Sequence, residues 1–220
     1  MRMVLMDSNQ LERLAVGDSF VFSGVRWAVR ELNVFLDPSG YRTTEWRIAS
    51  ARKGEYFLMR EHNPAQPADP VWYLSERLVA PKLLSQETGK NLYAQLRGSF
   101  STNKTPPLTL TVTDTNFIFE STSSGAFTSQ GESQHRTTWE YWDKTHSRNL
   151  ALEFWDDGNL LVYLARVIKP QQIQDIQTGG AQYVKDRFFG EGAPRILEWI
   201  CATILTLLGL IMFLLGISRP

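Results

Sequence analysis

Short runs in which apolar and polar residues alternate fill most of the first 168 positions, and this two-residue period predicts strands. In "RWAVRELNVFL", residues 26–36, Trp27 and Val29 share one phase and Leu32, Val34 and Leu36 the other. A change of phase inside one run predicts a β-bulge near Arg30–Glu31. "DPSG" at 37–40 is turn chemistry, and "RTTEWRIAS" and "EYFLMRE" predict a hairpin across Lys53–Gly54. The three prolines of 62–70, "HNPAQPADP", close that series. "LTLTVT" at 108–113 predicts a half-buried strand. "NLALEFW" and "NLLVYLARVI" flank Asp156–Asp157–Gly158, a strong hairpin signal. Helical signals are few: one turn in 8–15, and "NLYAQLRG" with Leu92 and Leu96 on one face and Gly98 as its stop. The Gly- and Ser-rich segment 121–133 predicts a mobile hairpin around a short pairing at Phe127. The expectation is a mainly β protein, an antiparallel barrel- or sandwich-like domain.

Two stretches nearly repeat. "YRTTEW" at 41–46 resembles "HRTTWEYW" at 135–142, and each follows a Phe-x-Phe strand, at 20–22 and 117–119. Two similar β units are one explanation, with halves 14–80 and 106–168; the chance recurrence of β-rich motifs is the other. The domain so read spans 1–168, followed by a Gly-rich juxtamembrane linker at 169–194. Within it, "AQYVKDRFF" at 181–189 fits a short interfacial helix.

The pattern then changes. From Trp199 to Ser218 no residue is charged. Twenty residues of helix span about 30 Å, the thickness of a bilayer's hydrocarbon core. A transmembrane helix is therefore expected over 195–218, with Trp199 and Arg219 at its interfaces. Lys185, Arg187 and Arg195 precede the span and only Arg219 follows it, so the positive-inside bias predicts a cytoplasmic N-terminal domain. The start, "MRMVLMDSNQLERL", shows no secretory core. The expected location is the bacterial inner membrane, single-pass and tail-anchored, with the lipid bilayer as one partner. Ala202, Gly209 and Gly216 recur every seven residues with Thr206 on the same face, a spacing that lets two such helices pack closely into a homo-oligomer.

Charge adds little direction: 23 basic residues balance 23 acidic ones, which does not favour nucleic acid as a partner. The single cysteine, Cys201, lies in the apolar run and forms no internal disulfide.

Several motifs together resemble the bacterial domain-of-unknown-function family 4178. They are Gly17–Asp18 before the first strand, Trp27, Thr44–Glu45–Trp46, Tyr141–Trp142–Asp143, and Leu150 with Glu153. The resemblance covers roughly 14–168. It departs where Glu45 precedes Trp46, since many members have a Trp-x-Glu order. It implies a small Trp-rich β domain, linked to the membrane in some members, with gene neighbours tied to envelope stress and polyamines. It brings no catalytic residues.

Candidate chemistry is sparse. His62, His135 and His146 have no metal-ligand spacing, and no phosphate-cradling or nucleophile motif occurs, so neither a metal nor a cofactor is expected. Six tryptophans precede the span: Trp27, Trp46, Trp72, Trp139, Trp142 and Trp155. Most are expected in a core; an exposed one favours a protein-binding surface. On strand 136–142, Thr138, Glu140 and Trp142 face one way and Thr137, Trp139 and Tyr141 the other. Glu140, Trp142, Asp143 and Glu153 form the candidate ligand site, where a carboxylate beside an aromatic ring suits a cation such as a polyamine. The alternative is a plain solvated strand face. The expected function is a non-enzymatic interaction or sensing module at the membrane that engages a protein partner. The runner-up is a β domain binding or acting on a cationic small molecule.

Overall fold

The computed structural model describes residues 8–51, 53–65, 70–98 and 105–179. The expected span at 195–218, with Ala202, Thr206, Gly209 and Gly216, lies outside the described residues. Among the described residues no helix is long and apolar enough to cross a membrane.

Antiparallel β structure dominates. A short helix α1 (Ser8–Glu12) leads into β1 (Ser19–Phe22), β2 (Val25–Leu36), β3 (Arg42–Ser50), β4 (Gly54–His62) and β5 (Val71–Leu78). Then come β6 (Leu84–Ser85) and helix α2 (Tyr93–Gly98). A second meander follows: β7 (Thr109–Val112), β8 (Thr115–Ser129), β9 (Glu132–Asp143), β10 (Arg148–Trp155) and β11 (Leu160–Ile168). A 3-10 turn, Pro170–Gln172, delivers β12 (Ile173–Gln177). β12 pairs with β1, and Ile173 is fully buried. The β structure therefore runs past residue 168, through positions where the sequence predicts a linker.

The strands hydrogen-bond in the order β12-β1-β2-β3-β4-β5-β11-β10-β9-β8-β7-β6, and β8 pairs back onto β2. That last pairing closes a ring of eight strands, β2-β3-β4-β5-β11-β10-β9-β8. The order is unchanged when β1–β6 are exchanged with β7–β12. The last strand of each half joins the first strand of the other: β6 with β7, and β12 with β1. Local geometry repeats with it. Ser19 lies opposite Ala28, and Thr109 opposite Ile118, ninety residues on in both strands. The joining turns, Ser23–Gly24 and Thr113–Asp114, both have left-handed backbone, as type I′ hairpins require.

The expected bulge is present between Val29 and Glu31, and β8 carries its counterpart between Phe119 and Ser121. A bulge kinks a long strand. Here each long strand changes neighbours beyond its kink. Before it, β2 pairs with β1 and β8 with β7; after it, β2 and β8 pair with each other. Segment 121–133 is thus mostly strand, and Phe127 pairs both with Phe35 of β2 and with Gln134 of β9. By this register the Phe-x-Phe pairs are not equivalent, because Phe20 lies on β1 and Phe117 on β8. Arg42 and Arg136 also differ: one is exposed, the other buried.

Most of the large buried apolar side chains lie on the outward phase of the ring, although Phe35, Phe57 and Met59 face its interior. One cluster gathers Phe20, Phe22, Trp27, Trp46, Trp72 and Ile173 beneath Leu11 and Leu14. Trp46 and Trp72 stack with centroids 5.6 Å apart, and Trp46 Nε1 donates to Leu14 O at 2.8 Å. A second cluster gathers Leu110, Phe117, Trp139, Tyr141, Leu152 and Phe154 beneath Leu83 and Leu96. The hydrophobic cores therefore lie outside the ring, one on each half, and the interior receives the other phase.

Ring closure needs a close approach at Gly125. A β-carbon there would collide with the Leu36 carbonyl oxygen and lie 2.8 Å from Asp37 Cα, both backbone. Gly125→Val is expected to destabilise the fold by about 1–3 kcal/mol or more, as overpacking against an unyielding neighbour does. Denaturant unfolding checks this, with the exposed Thr128→Ala as a control expected to stay within about 0.5 kcal/mol of the parent.

Candidate functional site

The inward phase of the ring is rich in groups that rarely share an interior. Thr43 and Glu45 come from β3, Glu61 from β4, Tyr73 and Ser75 from β5. Arg136, Thr138 and Glu140 come from β9, Asn149 and Glu153 from β10. The registers explain the convergence: Glu153 is opposite Thr138, Ala151 opposite Glu140, and Thr43 opposite Glu61. Alternation then sends every second residue inward. Together they enclose a cavity of about 30 Å³.

Arg136 organises one end. Its guanidinium lies 2.8 Å from Glu45 and 2.9 Å from Glu153, and its side chain is only 4% exposed. Phe35 and Phe127, directly paired across the ring closure, flank it at 4.4 and 4.9 Å from their ring centroids. Burial alone would lower its pKa; Glu153 and Glu45 outweigh that and keep it charged. At the other end Tyr73 donates to Glu61 at 2.8 Å, Tyr41 donates to the same carboxylate, and Asn149 Nδ2 donates to Glu140 at 2.5 Å.

Four carboxylates thus face one guanidinium. Burial disfavours the ionised form, and the neighbouring carboxylates add to this. Glu140 is pushed up to about 7, first by burial and then by Glu61. Burial also raises Glu61 and Glu153. Three polar atoms on the wall find no hydrogen-bond partner among the described residues: Ser75 Oγ, Thr138 Oγ1 and Arg136 Nε.

Of the residues expected from sequence, Glu140 and Glu153 line this cavity and two do not. Trp142 packs on Tyr73 at 6.0 Å and on His146 at 5.6 Å. Asp143 orders the β9–β10 turn by accepting from the backbone of Ser147 and Arg148 and from the Thr145 hydroxyl. Burial would raise its pKa, but these hydrogen bonds outweigh it and hold Asp143 at about 2. The exposed His146 bonds Glu120 at 2.6 Å, and His135 sits 3.6 Å from Asp156. Among the described residues no three His, Cys, Asp or Glu side chains gather closely enough to hold a metal ion.

Residues 15–170 match the family described as "Domain of unknown function (DUF4178)". The chain belongs to this family. It is also similar to an uncharacterized protein of Aquifex aeolicus (strain VF5), 23% identical over 169 residues, covering 77% of this chain and 85% of that one. No solved structure matches.

The raised carboxyls make stability depend on pH. A carboxyl that titrates near 4.5 when unfolded and near 7 when folded holds its proton longer in the folded state. The folded state then binds more protons, so stability falls as pH rises between those values. Glu140→Gln removes this penalty while keeping an acceptor for Asn149. It is expected to match the parent near pH 4.5 and to exceed it by about 1–3 kcal/mol at pH 8, as a shift of this size implies. Denaturant unfolding across pH 4.5–8 measures the difference.

Proposed function

We propose that the chain is a non-enzymatic sensing module, tethered at the cytoplasmic face of the inner membrane by residues 195–218. Its eight-strand ring acts as a barrel-like receptor for a small cationic group, and occupancy of the ring tunes a protein partner. One observation carries this reading: four carboxylates and one guanidinium share an enclosed cavity in which hydroxyls are left without partners. Excess buried negative charge is expensive unless protons or a cation neutralise it. Such a cavity responds to what enters it.

The interior chemistry favours binding over turnover. Its carboxylates are engaged by arginine, asparagine and tyrosine donors. The volume also limits the ligand. About 30 Å³ accommodates one or two water-sized groups, so a polyamine fits only by one terminus. The tether rests on the uncharged run 199–218 and the basic residues before it.

The reading is tested by ending the chain after Gly179, beyond β12. The shortened chain is expected to leave the membrane fraction and to unfold cooperatively with the midpoint of the full chain. A shortened chain that still sediments with membranes, or that unfolds without cooperativity, would contradict a self-contained domain held by its C-terminus.

A further inference from the structure

We infer that the ring interior receives an ammonium head group, either the free ion or the –NH3+ end of a primary amine. It is held by Glu140 and Glu153 together with the unpartnered hydroxyls of Ser75 and Thr138. This deepens the sensing reading above and rests on it.

Three features of the cavity select the ligand. The first is charge: Glu45, Glu61, Glu140 and Glu153 face Arg136 alone, so every carboxyl that ionises beyond the first needs a second cation in place of its proton. The second is hydrogen bonding. Once ionised, these carboxylates only accept, and their acceptor sites outnumber the donors that Arg136, Asn149, Tyr41 and Tyr73 supply. Ser75 is fully buried and Thr138 is 3% exposed, yet their oxygens have no partner among the described residues. An occupant with several N–H donors satisfies both kinds of group. The third is spacing. The acidic groups do not converge on a point as metal ligands do; among the described residues no set of three meets that condition. They surround a volume, which suits donors pointing outward from a small head group.

Size agrees, since about 30 Å³ holds a group no larger than one or two waters. Proton exchange follows from the same crowding. With Glu140 titrating near 7 and burial holding Glu153 above the usual carboxylate range, an entering ammonium displaces protons from both, so binding tightens as pH rises through neutrality. The tyrosines facing these carboxylates, Tyr41, Tyr73 and Tyr163, are all raised by burial and stay neutral throughout.

Full-length protein in detergent micelles is titrated calorimetrically with ammonium, methylammonium, potassium and tetramethylammonium chlorides at matched ionic strength, at pH 6 and pH 8. Potassium has nearly ammonium's size but no N–H donors. Ammonium is expected to bind saturably, roughly tenfold tighter at pH 8 than at pH 6. Potassium and tetramethylammonium are expected not to bind. Methylammonium binding alongside ammonium would identify an amine terminus as the source; ammonium alone would identify the free ion. Glu140→Gln is expected to weaken binding about tenfold, the loss of one charged hydrogen bond. Thr138→Val serves as a second variant, with the same direction expected. If potassium binds as well as ammonium, the head-group inference fails while a cation receptor stands. If no cation binds saturably, both fall.

Discussion

The guanidinium of Arg136 is the contact on which the rest of the ring depends. It projects from β9, bonds Glu45 on β3 and Glu153 on β10, and packs over the rings of Phe35 on β2 and Phe127 on β8. Five of the ring's eight strands therefore meet at one side chain. Those two phenylalanines are also the pair that closes the ring. A buried ion pair of this kind does little for net stability, because desolvation offsets attraction. What it fixes is arrangement. With Arg136 absent, two buried carboxylates lack their counter-ion and the closing aromatic pair loses the cation packed over its rings.

This constraint makes sense of an unusual distribution of side chains. In a small closed ring the interior is normally filled by side chains. Here the two large apolar clusters pack outward under two caps, α1 with β1 and β12 on one side, α2 with β6 and β7 on the other. Those two cores carry the hydrophobic stabilisation. The interior is thereby free to hold polar groups that a single central core would exclude. The symmetric strand order extends this: each half brings its own core, and the cavity is enclosed where the two meet.

Much of this was legible along the chain, and the misses have physical causes. Alternation located most strands, and the phase change at Arg30 located the bulge, because both are local properties of β backbone. The opposed faces of strand 136–142 were also legible: Trp139 and Tyr141 are in a core, Thr138 and Glu140 in the cavity. Their direction was not. A polar phase usually means solvent, and only the closing pairing of β2 with β8, far apart in sequence, turns that phase inward. For the same reason Glu45, Glu61 and Arg136 carried no signal as site residues. Asp143 resembles a ligand in sequence because it neighbours aromatics; in the structure it lies outside the cavity and accepts hydrogen bonds within the β9–β10 turn. β12 resembles linker in sequence because its two apolar residues, Ile173 and Ile176, are three apart and show no alternation, and its partner β1 lies at the other end of the domain.

Native-state hydrogen exchange on Arg136→Met tests the central claim most directly. Removing one partner of a buried pair costs about 3–5 kcal/mol, and the ring closure is where that loss concentrates. The account predicts that amides of the β2–β8 seam, Asn33–Leu36 with Ala126–Ser129, lose protection well before those of the β3–β4 pairing. Protection lost evenly over all strands, or a seam as protected as in the parent, would contradict it.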